Sequence, residues 1–504
     1  MKLINVQHEK QNWLDKGYEV YSYDRNKMIT ETVEEPTWVH FGSGNLFRAF
    51  EAVYCDKLLD KGIIDKGLIV VSGRKGSDID TYYRAYDNLY VAVTLKSDGN
   101  VNKRVVGSIA ESVRIDEIER LKEIFAKKSL QVVSFTITEK GYRVAETCEK
   151  PFETDSYIGV VASLLWYRYE NGVYPLTLSS HDNCSHNGDV LKSGIMKFAE
   201  RWNDNGFIEY LNNEVSFPIS MIDKITPRPD GKVAEMLRKD GLEDLHDTSY
   251  YMNCFVNAEE SQYLIIEDDF RNGKPAWDKE GIIFTDRDTV DKVEKMKVCT
   301  CLNPVHTALA VYGCLLDYHL IYEEMNDEVL YKLARHIGYD EGLPVVTDPD
   351  IIKPREFLDT VINVRLTNPF MPDAPQRIAM DTSQKLPVRF GETLKAYVAK
   401  GKDLNELTYI PLVFAGWLRY LTGINDLGER FELPSDPMLS ELTPIMNYEL
   451  GATVEKKDIM SILRNERIFG VDLEEQGIAD KITAYLNEML REKGAVRKTL
   501  EKYV

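Results

Sequence analysis

Trp38-Val-His-Phe-Gly-Ser-Gly-Asn-Leu-Phe-Arg-Ala49 is the stretch whose reading sets the fold class. Trp38-Val-His-Phe41 is a short run of strand-forming residues, Gly42-Ser-Gly44 a tight turn, and Asn45 to Lys61 a helix carrying Phe47, Phe50, Tyr54 and Leu58 on one side. Leu68-Ile-Val-Val71 follows as a buried strand, so strand, glycine turn, helix and strand make a βαβ unit. Small residues in such a turn let backbone N–H groups approach phosphates, and the helix start that follows favours negative charge. Gly42 and Gly44 are therefore candidate cofactor-binding residues, with Asn45 and Leu46 opening the helix beside them. The third glycine of the dinucleotide fingerprint is absent, Phe47 standing in its place, so an ordinary strand-to-helix turn is the rival reading of this piece alone.

Working outward, strands are expected at Leu89 to Leu95, Val105 to Ile109, Gln131 to Thr138 and Leu176 to Leu178, with helices at Ile158 to Glu170 and from Asn187-Gly188. This alternation predicts an α/β fold: a mostly parallel sheet covered on both faces, with functional groups at the carboxyl ends of its strands. From about Thr289 the pattern turns to long helical stretches. The expected division is a Rossmann-type dinucleotide-binding domain over 1–290 and a mostly α-helical substrate-binding and catalytic domain over 291–504. A chain of 504 residues is long enough for two such cores.

The formal net charge of −20 disfavours nucleic acid and anionic membrane surfaces as partners, although a local basic pocket for a small anion remains compatible with it. Seven scattered cysteines form no disulfide framework, and the start MKLINVQHEKQNW lacks the apolar core of a signal peptide, so a cytoplasmic location is expected. No uninterrupted apolar run approaches the ~20 residues of a membrane span.

Several groups invite chemistry. After the second strand the chain reads Ser72-Gly-Arg-Lys-Gly-Ser-Asp78, where Arg74 and Lys75 suit the extra phosphate of NADP, while Asp78 or Asp80 could bind the ribose of NAD. Asp182-Asn183 and Asn187-Gly188 lie just past a strand end, as amide donors for a substrate oxygen or as plain turn residues. Lys295-Met-Lys-Val-Cys-Thr-Cys-Leu-Asn-Pro-Val-His306 brings an amine, an amide and an imidazole together, a set suited to removing a hydroxyl proton. Pro304 is expected to open a helix with Asn303 as its N-cap, leaving Lys297 on a separate preceding segment. Cys299, Cys301, His306 and Cys314 match no common zinc spacing; buried thiols are the simpler reading, and no metal is expected. Arg377, Asp381 and Lys385 recur every four residues, either as a solvated salt-bridging helix face or, with Pro375 and Pro387 flanking them, as a clamp for an anion.

In order along the chain, these pieces resemble the polyol-specific long-chain dehydrogenase family, which includes mannitol dehydrogenases and fructuronate reductases. The resemblance rests on His40-Phe-Gly-Ser-Gly-Asn-Leu-Phe-Arg-Ala49, Thr136-Ile-Thr-Glu-Lys-Gly-Tyr142, Ser180-His-Asp-Asn183 with Asn187-Gly188, Phe217-Pro218 with Asp223-Lys-Ile-Thr-Pro227, Glu267-Asp-Asp-Phe270, Asn303-x-x-His306 and Arg377-Ile-Ala-x-Asp-x-Ser-Gln-Lys385. It implies a metal-independent active site between the two domains. There Lys297 acts as general base, Asn183 and Asn303 hold the reacting oxygen, His306, Arg377 and Lys385 position substrate, and Asp223 stands near the nicotinamide. The family usually places four residues between the lysine and this asparagine. Here five intervene, which a one-residue bulge would absorb, and Lys295 stays open as the base.

The implied reaction is hydride transfer between a sugar-derived secondary alcohol and NAD, with NADP also open. D-mannonate and D-fructuronate are the expected pair, because Arg377 and Lys385 could hold a carboxylate. Mannitol or another polyol is the alternative. A catalytically silent nucleotide-binding sensor is an alternative of another class, motivated by the altered lysine spacing and by the missing acidic residue after the second strand. Oligomeric state is not readable from the sequence.

Overall fold

Six parallel strands form the central sheet of the first part of the chain: β1 (Trp38–Phe41), β2 (Leu68–Ser72), β3 (Ile109–Arg114), β4 (Val132–Phe135), β5 (Leu176–Ser180) and β6 (Val215–Ser216). Their order across the sheet is 3-2-1-4-5-6, every neighbouring pair parallel. This is the doubly wound dinucleotide-binding order, whose strand direction of growth reverses between β1 and β4 and leaves a crevice at their carboxyl ends. The computed structural model describes residues 1–72, 78–144, 148–154 and 156–504, and divides into two units, Met1–Asp291 and Lys292–Val504.

In the first unit, β1, β2, β4 and β5 are buried at every position. That is why β2 reads as an apolar run rather than an alternating one, while the polar residues inside the others, such as His40 and Ser134, are hydrogen-bonded to each other. Val39, Phe41, Ile69, Val71, Val133 and Phe135 belong to the core on one face, and Trp38, Leu68, Val70 and Val132 to the core on the other. Two smaller sheets accompany this one. The first has four strands, Tyr18–Val20, Val101–Val106, Tyr90–Leu95 and Phe255–Glu259, and the second three, Ser220–Asp223, Tyr263–Glu267 and Ile283–Thr285.

Local differences from the expected elements have identifiable causes. The single helix expected over Asn45 to Lys61 is two, α1 (Asn45–Ala49) and α2 (Glu51–Asp60), broken at Phe50 with φ −125° and ψ −75°. Next to the break, the Tyr90 hydroxyl donates to the Arg48 carbonyl at 2.6 Å, a partner from outside the helix. The strand expected over Val105 to Ile109 is the meeting of two strands, Val101–Val106 and β3, at Gly107-Ser108. The strand expected to run to Thr138 stops at Phe135, because Thr138 turns left-handed at φ 63° and starts the helix Thr138–Gly141.

The second unit is helical. The chain enters it through α4 (Arg287–Met296), continues without interruption through a π-helical segment, Lys297–Cys301, and goes on as α5 (Asn303–Leu315). α5 is buried almost all round, as a helix at the centre of a core is. It packs so closely on the helix Tyr409–Tyr420 that a side chain at Gly416 would come within 2.7 Å of the Tyr312 ring, and the Tyr312 hydroxyl donates to the Leu412 carbonyl at 2.7 Å. By length and mean hydropathy, 1.3 over eighteen residues, the run Arg287–Leu315 would pass for a membrane span. With 78% of that window buried inside the protein, it is a core helix.

Candidate active site

At the end of β1, Gly42 has φ +121°, and a Cβ there would lie 2.3 Å from the Thr136 carbonyl oxygen. No other residue fits, because the chain past β1 is held between its two neighbours: Gly42 N donates to Val71 O of β2, and Thr136 N, just past β4, donates to Phe41 O, both at 2.9 Å. Gly44, which precedes α1, is different. Among the described residues beyond its chain neighbours, no heavy atom lies within 4 Å of its missing Cβ, so the turn keeps open room where phosphates approach in this fold. Asn45 donates to Tyr251 O at 3.0 Å, and Leu46 packs on the core edge. Phe47, in the third-glycine place, is buried and stacks on His40 with ring centroids 4.3 Å apart. His40 bonds Ser134 Oγ at 2.7 Å and Thr136 Oγ1 at 2.8 Å, and burial pushes its pKa well below the ordinary value, so it is neutral.

The acidic candidates for a ribose are engaged already. Asp78 accepts from Tyr250 OH at 2.9 Å and from Tyr251 OH, and Asp80 meets Arg84 at 3.1 Å and Arg114 at 3.0 Å. Arg74 and Lys75 lie outside the described residues.

Past β5, Asp182 accepts from Ile137 N (2.9 Å), Thr138 N (2.8 Å) and Tyr142 OH (2.7 Å), tying the ends of β4 and β5 together. Burial still pushes its carboxyl up. Asn183, next in the chain, is exposed. Asn187 begins α3 (Asn187–Trp202) and is wholly committed to structure: its amide donates to Asp182 O at 2.9 Å and Ser220 O at 3.0 Å, and its oxygen accepts from Ser220 N at 2.9 Å. Gly188 is required by packing, since a Cβ would sit 2.5 Å from the Phe217 and Pro218 carbonyl oxygens. Asp223 is buried at the end of its strand, paired in register with Tyr263. A buried pair that sequence reasoning missed, His181 Nδ1 and Glu51 Oε1 at 3.2 Å, lies beneath Asp182. The two residues stand 130 apart in the chain, and no local pattern joins them.

In the second unit, Lys297 is 5% exposed and is the first residue of the π segment. Its carbonyl accepts from Leu302 N, five residues on, at 3.0 Å, and Leu302 O then accepts from His306 N, four on, at 3.0 Å. One wide turn therefore takes up one extra residue, which answers the spacing argument for a catalytically silent reading. Lys297 is not on a separate segment, and Asn303 is not an N-cap. The residue before α5 is Leu302, a bend at φ −115° and ψ −62° with no side-chain cap bond, which joins the π turn directly to α5. Lys295 is 52% exposed and 3.7 Å from Glu392.

His306, on the first turn of α5, lies 3.6 Å from Asp373 through Nε2, which makes no hydrogen bond. Burial lowers its pKa to about 4; Asp373 pulls it up, while Arg389, Arg365 and Arg377 push it further down. The ring is neutral at pH 7. Arg377 does not share a helix face with Asp381 and Lys385. It sits in α6 (Pro375–Ile378), Lys385 in α7 (Thr382–Leu386), and Asp381 between them is left-handed at φ 53°. Arg377 pairs instead with Asp373 at 2.8 Å, and Lys385 donates to Ile378 O at 2.9 Å and to Met380 O. Arg365 and Arg389 were missed by sequence reasoning. Arg389 could have been found, because it extends the four-residue interval of Arg377, Asp381 and Lys385 by one step. Burial raises the Cys299 thiol to about 11 and that of Cys301 to about 12. Among the described residues, no three His, Cys, Asp or Glu side chains are grouped to hold a metal.

Comparison with known proteins covers both units. Residues 36–279 match the Mannitol dehydrogenase Rossmann domain and residues 289–490 the Mannitol dehydrogenase C-terminal domain. The D-mannonate oxidoreductase of Thermotoga maritima is 44% identical over 98% of this chain and 97% of its own length. Among solved structures, a D-sorbitol dehydrogenase in substrate-free form superposes with a TM-score of 0.81 at 24% identity, over 95% of this chain and 97% of that one. The Pseudomonas fluorescens mannitol 2-dehydrogenase, in a ternary complex with NAD and D-mannitol, gives 0.71 at 25% identity, over 98% of each chain.

Proposed function

We propose, from the premise that this chain belongs to the mannitol dehydrogenase family in both its Rossmann and its C-terminal domain, that it is an NAD-dependent oxidoreductase interconverting D-mannonate and D-fructuronate. The observation that carries the substrate choice is the end-to-end likeness to a D-mannonate oxidoreductase. The cationic surroundings of His306 support it, since they suit a substrate with a carboxylate.

Gly42, Gly44, Asn45 and Leu46 would hold the dinucleotide, the open space at Gly44 being the part of the turn that fits it; Arg74 would meet the extra phosphate were the cofactor NADP. Bound nicotinamide would accept or supply the hydride at the carbon that carries the hydroxyl. Lys297, buried at the start of the wide turn, takes the hydroxyl proton as general base. The Asn183 and Asn303 amides donate to the same oxygen as negative charge develops on it. Neutral His306 offers its imidazole as a hydrogen-bonding group rather than a charge, Arg377 and Lys385 position the substrate, and Asp223 lines the nicotinamide side. Reduction of the ketone runs the same steps in reverse.

The test is a nicotinamide absorbance assay crossing NAD and NADP with D-mannonate, D-altronate, D-mannitol and D-arabinitol. Reduction of NAD with D-mannonate is the expected result. Strong activity confined to a neutral polyol would overturn the hexonate reading in favour of a polyol dehydrogenase, the reading favoured by the structural likeness to mannitol 2-dehydrogenase.

A further inference from the structure

The cations near His306 are not equivalent. Arg377 is 65% exposed and its charge is met by Asp373 at 2.8 Å. Lys385 has two backbone carbonyls, Ile378 O and Met380 O, and so fastens its own turn. Arg389, in the π-helical segment Pro387–Gly391, has neither kind of partner among the described residues. Its Nη1 donates to Thr307 Oγ1 at 2.5 Å, and among the described residues no carboxylate pairs with it. Burial alone pulls its pKa down to about 10, with no acid opposing the shift. Arg389 is half-buried; a guanidinium drawn out of water without a counter-charge is costly to a fold, and it has five N–H donors in a planar fork that matches a carboxylate bidentately.

Its position is also informative. Thr307, which Arg389 contacts, follows His306 directly, and the Thr307 hydroxyl donates to the Asn303 carbonyl at 2.8 Å. The guanidinium is thus linked through one side chain to the Asn303-x-x-His306 turn. Arg389 also contributes to the depressed pKa values of His306 and Lys385, as a cation close to both would.

We propose that Arg389 pairs with the carboxylate of a hexonate substrate through its unused N–H groups, and that it, more than Arg377 or Lys385, separates a hexonate from a neutral polyol. This inference rests on the hexonate reading given above. The charge is met only when an anionic substrate is in place, so discrimination comes from the desolvated pair rather than from overall shape.

The test uses the full chain and three variants, Arg389→Gln, Arg389→Lys and Arg377→Gln. It reads kcat and KM for D-mannonate, and the inhibition constant of D-mannonamide, which has the same carbon frame without the charge. Arg389→Gln is expected to raise KM for D-mannonate by about 100-fold or more, with a much smaller change in kcat and in mannonamide binding. Arg389→Lys should recover part of the loss, and Arg377→Gln should change KM by less than about tenfold. Equal weakening of mannonate and mannonamide by Arg389→Gln, or a selective loss in Arg377→Gln instead, would overturn the assignment. Failure of both Arg389 variants to fold would overturn it too, making the residue structural. Unaltered protein that turns over polyols but not D-mannonate refutes the hexonate reading itself, a result distinct from any of these.

Discussion

The turn at Gly42–Asn45 and the wide helical turn at Lys297–Asn303 keep their groups in place by opposite means. In the first, backbone meets backbone: the position of Gly42 is dictated by a carbonyl 2.3 Å from where a Cβ would be, and neighbouring side chains can vary, as Phe47 does by filling the core instead of leaving a glycine gap. In the second, everything depends on helical phase. A single extra residue would rotate Lys297 away from its relation to Asn303, and one π turn, with Lys297 O bonded to Leu302 N, takes that rotation up. A site built from backbone tolerates changes in side chains but not in shape. A site built from side chains tolerates an insertion so long as the helix can absorb it.

The largest effect expected from breaking this contrast is on the helical side. Lys297→Ala should lower kcat by about 10³-fold while leaving NAD binding, followed by fluorescence titration, nearly unchanged; full turnover in that variant would move the base elsewhere. On the backbone side, Gly42→Ala should cost about 3 kcal/mol or more of stability in chemical denaturation, through the left-handed φ and the clash with Thr136 O. A cost under about 1 kcal/mol would mean that β1 and β4 can part more easily than their hydrogen bonds suggest.

A smaller effect concerns His306. Its folded pKa of about 4 lies below the ordinary 6.5, so the native state prefers the neutral ring. The stability this preference gives is present above pH 6.5 and is lost as pH falls from there towards 4. His306→Gln should therefore lose less stability than the unaltered chain across that window in denaturation measured at several pH values; identical slopes would show that Asp373 offsets the burial and leaves the ring at its ordinary pKa. Smallest of all is Lys295→Ala. With an exposed ammonium 3.7 Å from Glu392, it should change kcat less than about twofold and stability by less than about 1 kcal/mol.

Legibility followed the same division. The βαβ unit over Trp38 to Val71 was readable because strands buried on both faces are predominantly apolar and the turn must be glycine. The helix over Asn45 to Lys61 was overextended, since the Tyr90 hydroxyl that takes the Arg48 carbonyl comes from 42 residues away. Asn187-Gly188, readable either as amide donor or as turn, proves structural through contacts with Ser220, Phe217 and Pro218, again remote in sequence. The four-residue interval from Arg377 to Lys385 implied a helix face that the left-handed Asp381 breaks in two.

Local chemistry in the sequence by itself determined the strand and helix alternation, the glycine turn, and the amine, amide and imidazole set from Lys297 to His306, because each is a property of neighbours along the chain. Only the tertiary structure decided the strand order 3-2-1-4-5-6, that Lys297 is buried while Lys295 is exposed, and which cations near His306 have their charge met. Those depend on helical phase and on partners distant in sequence, and a polar side chain's role is set by which of its hydrogen bonds the rest of the fold has already taken.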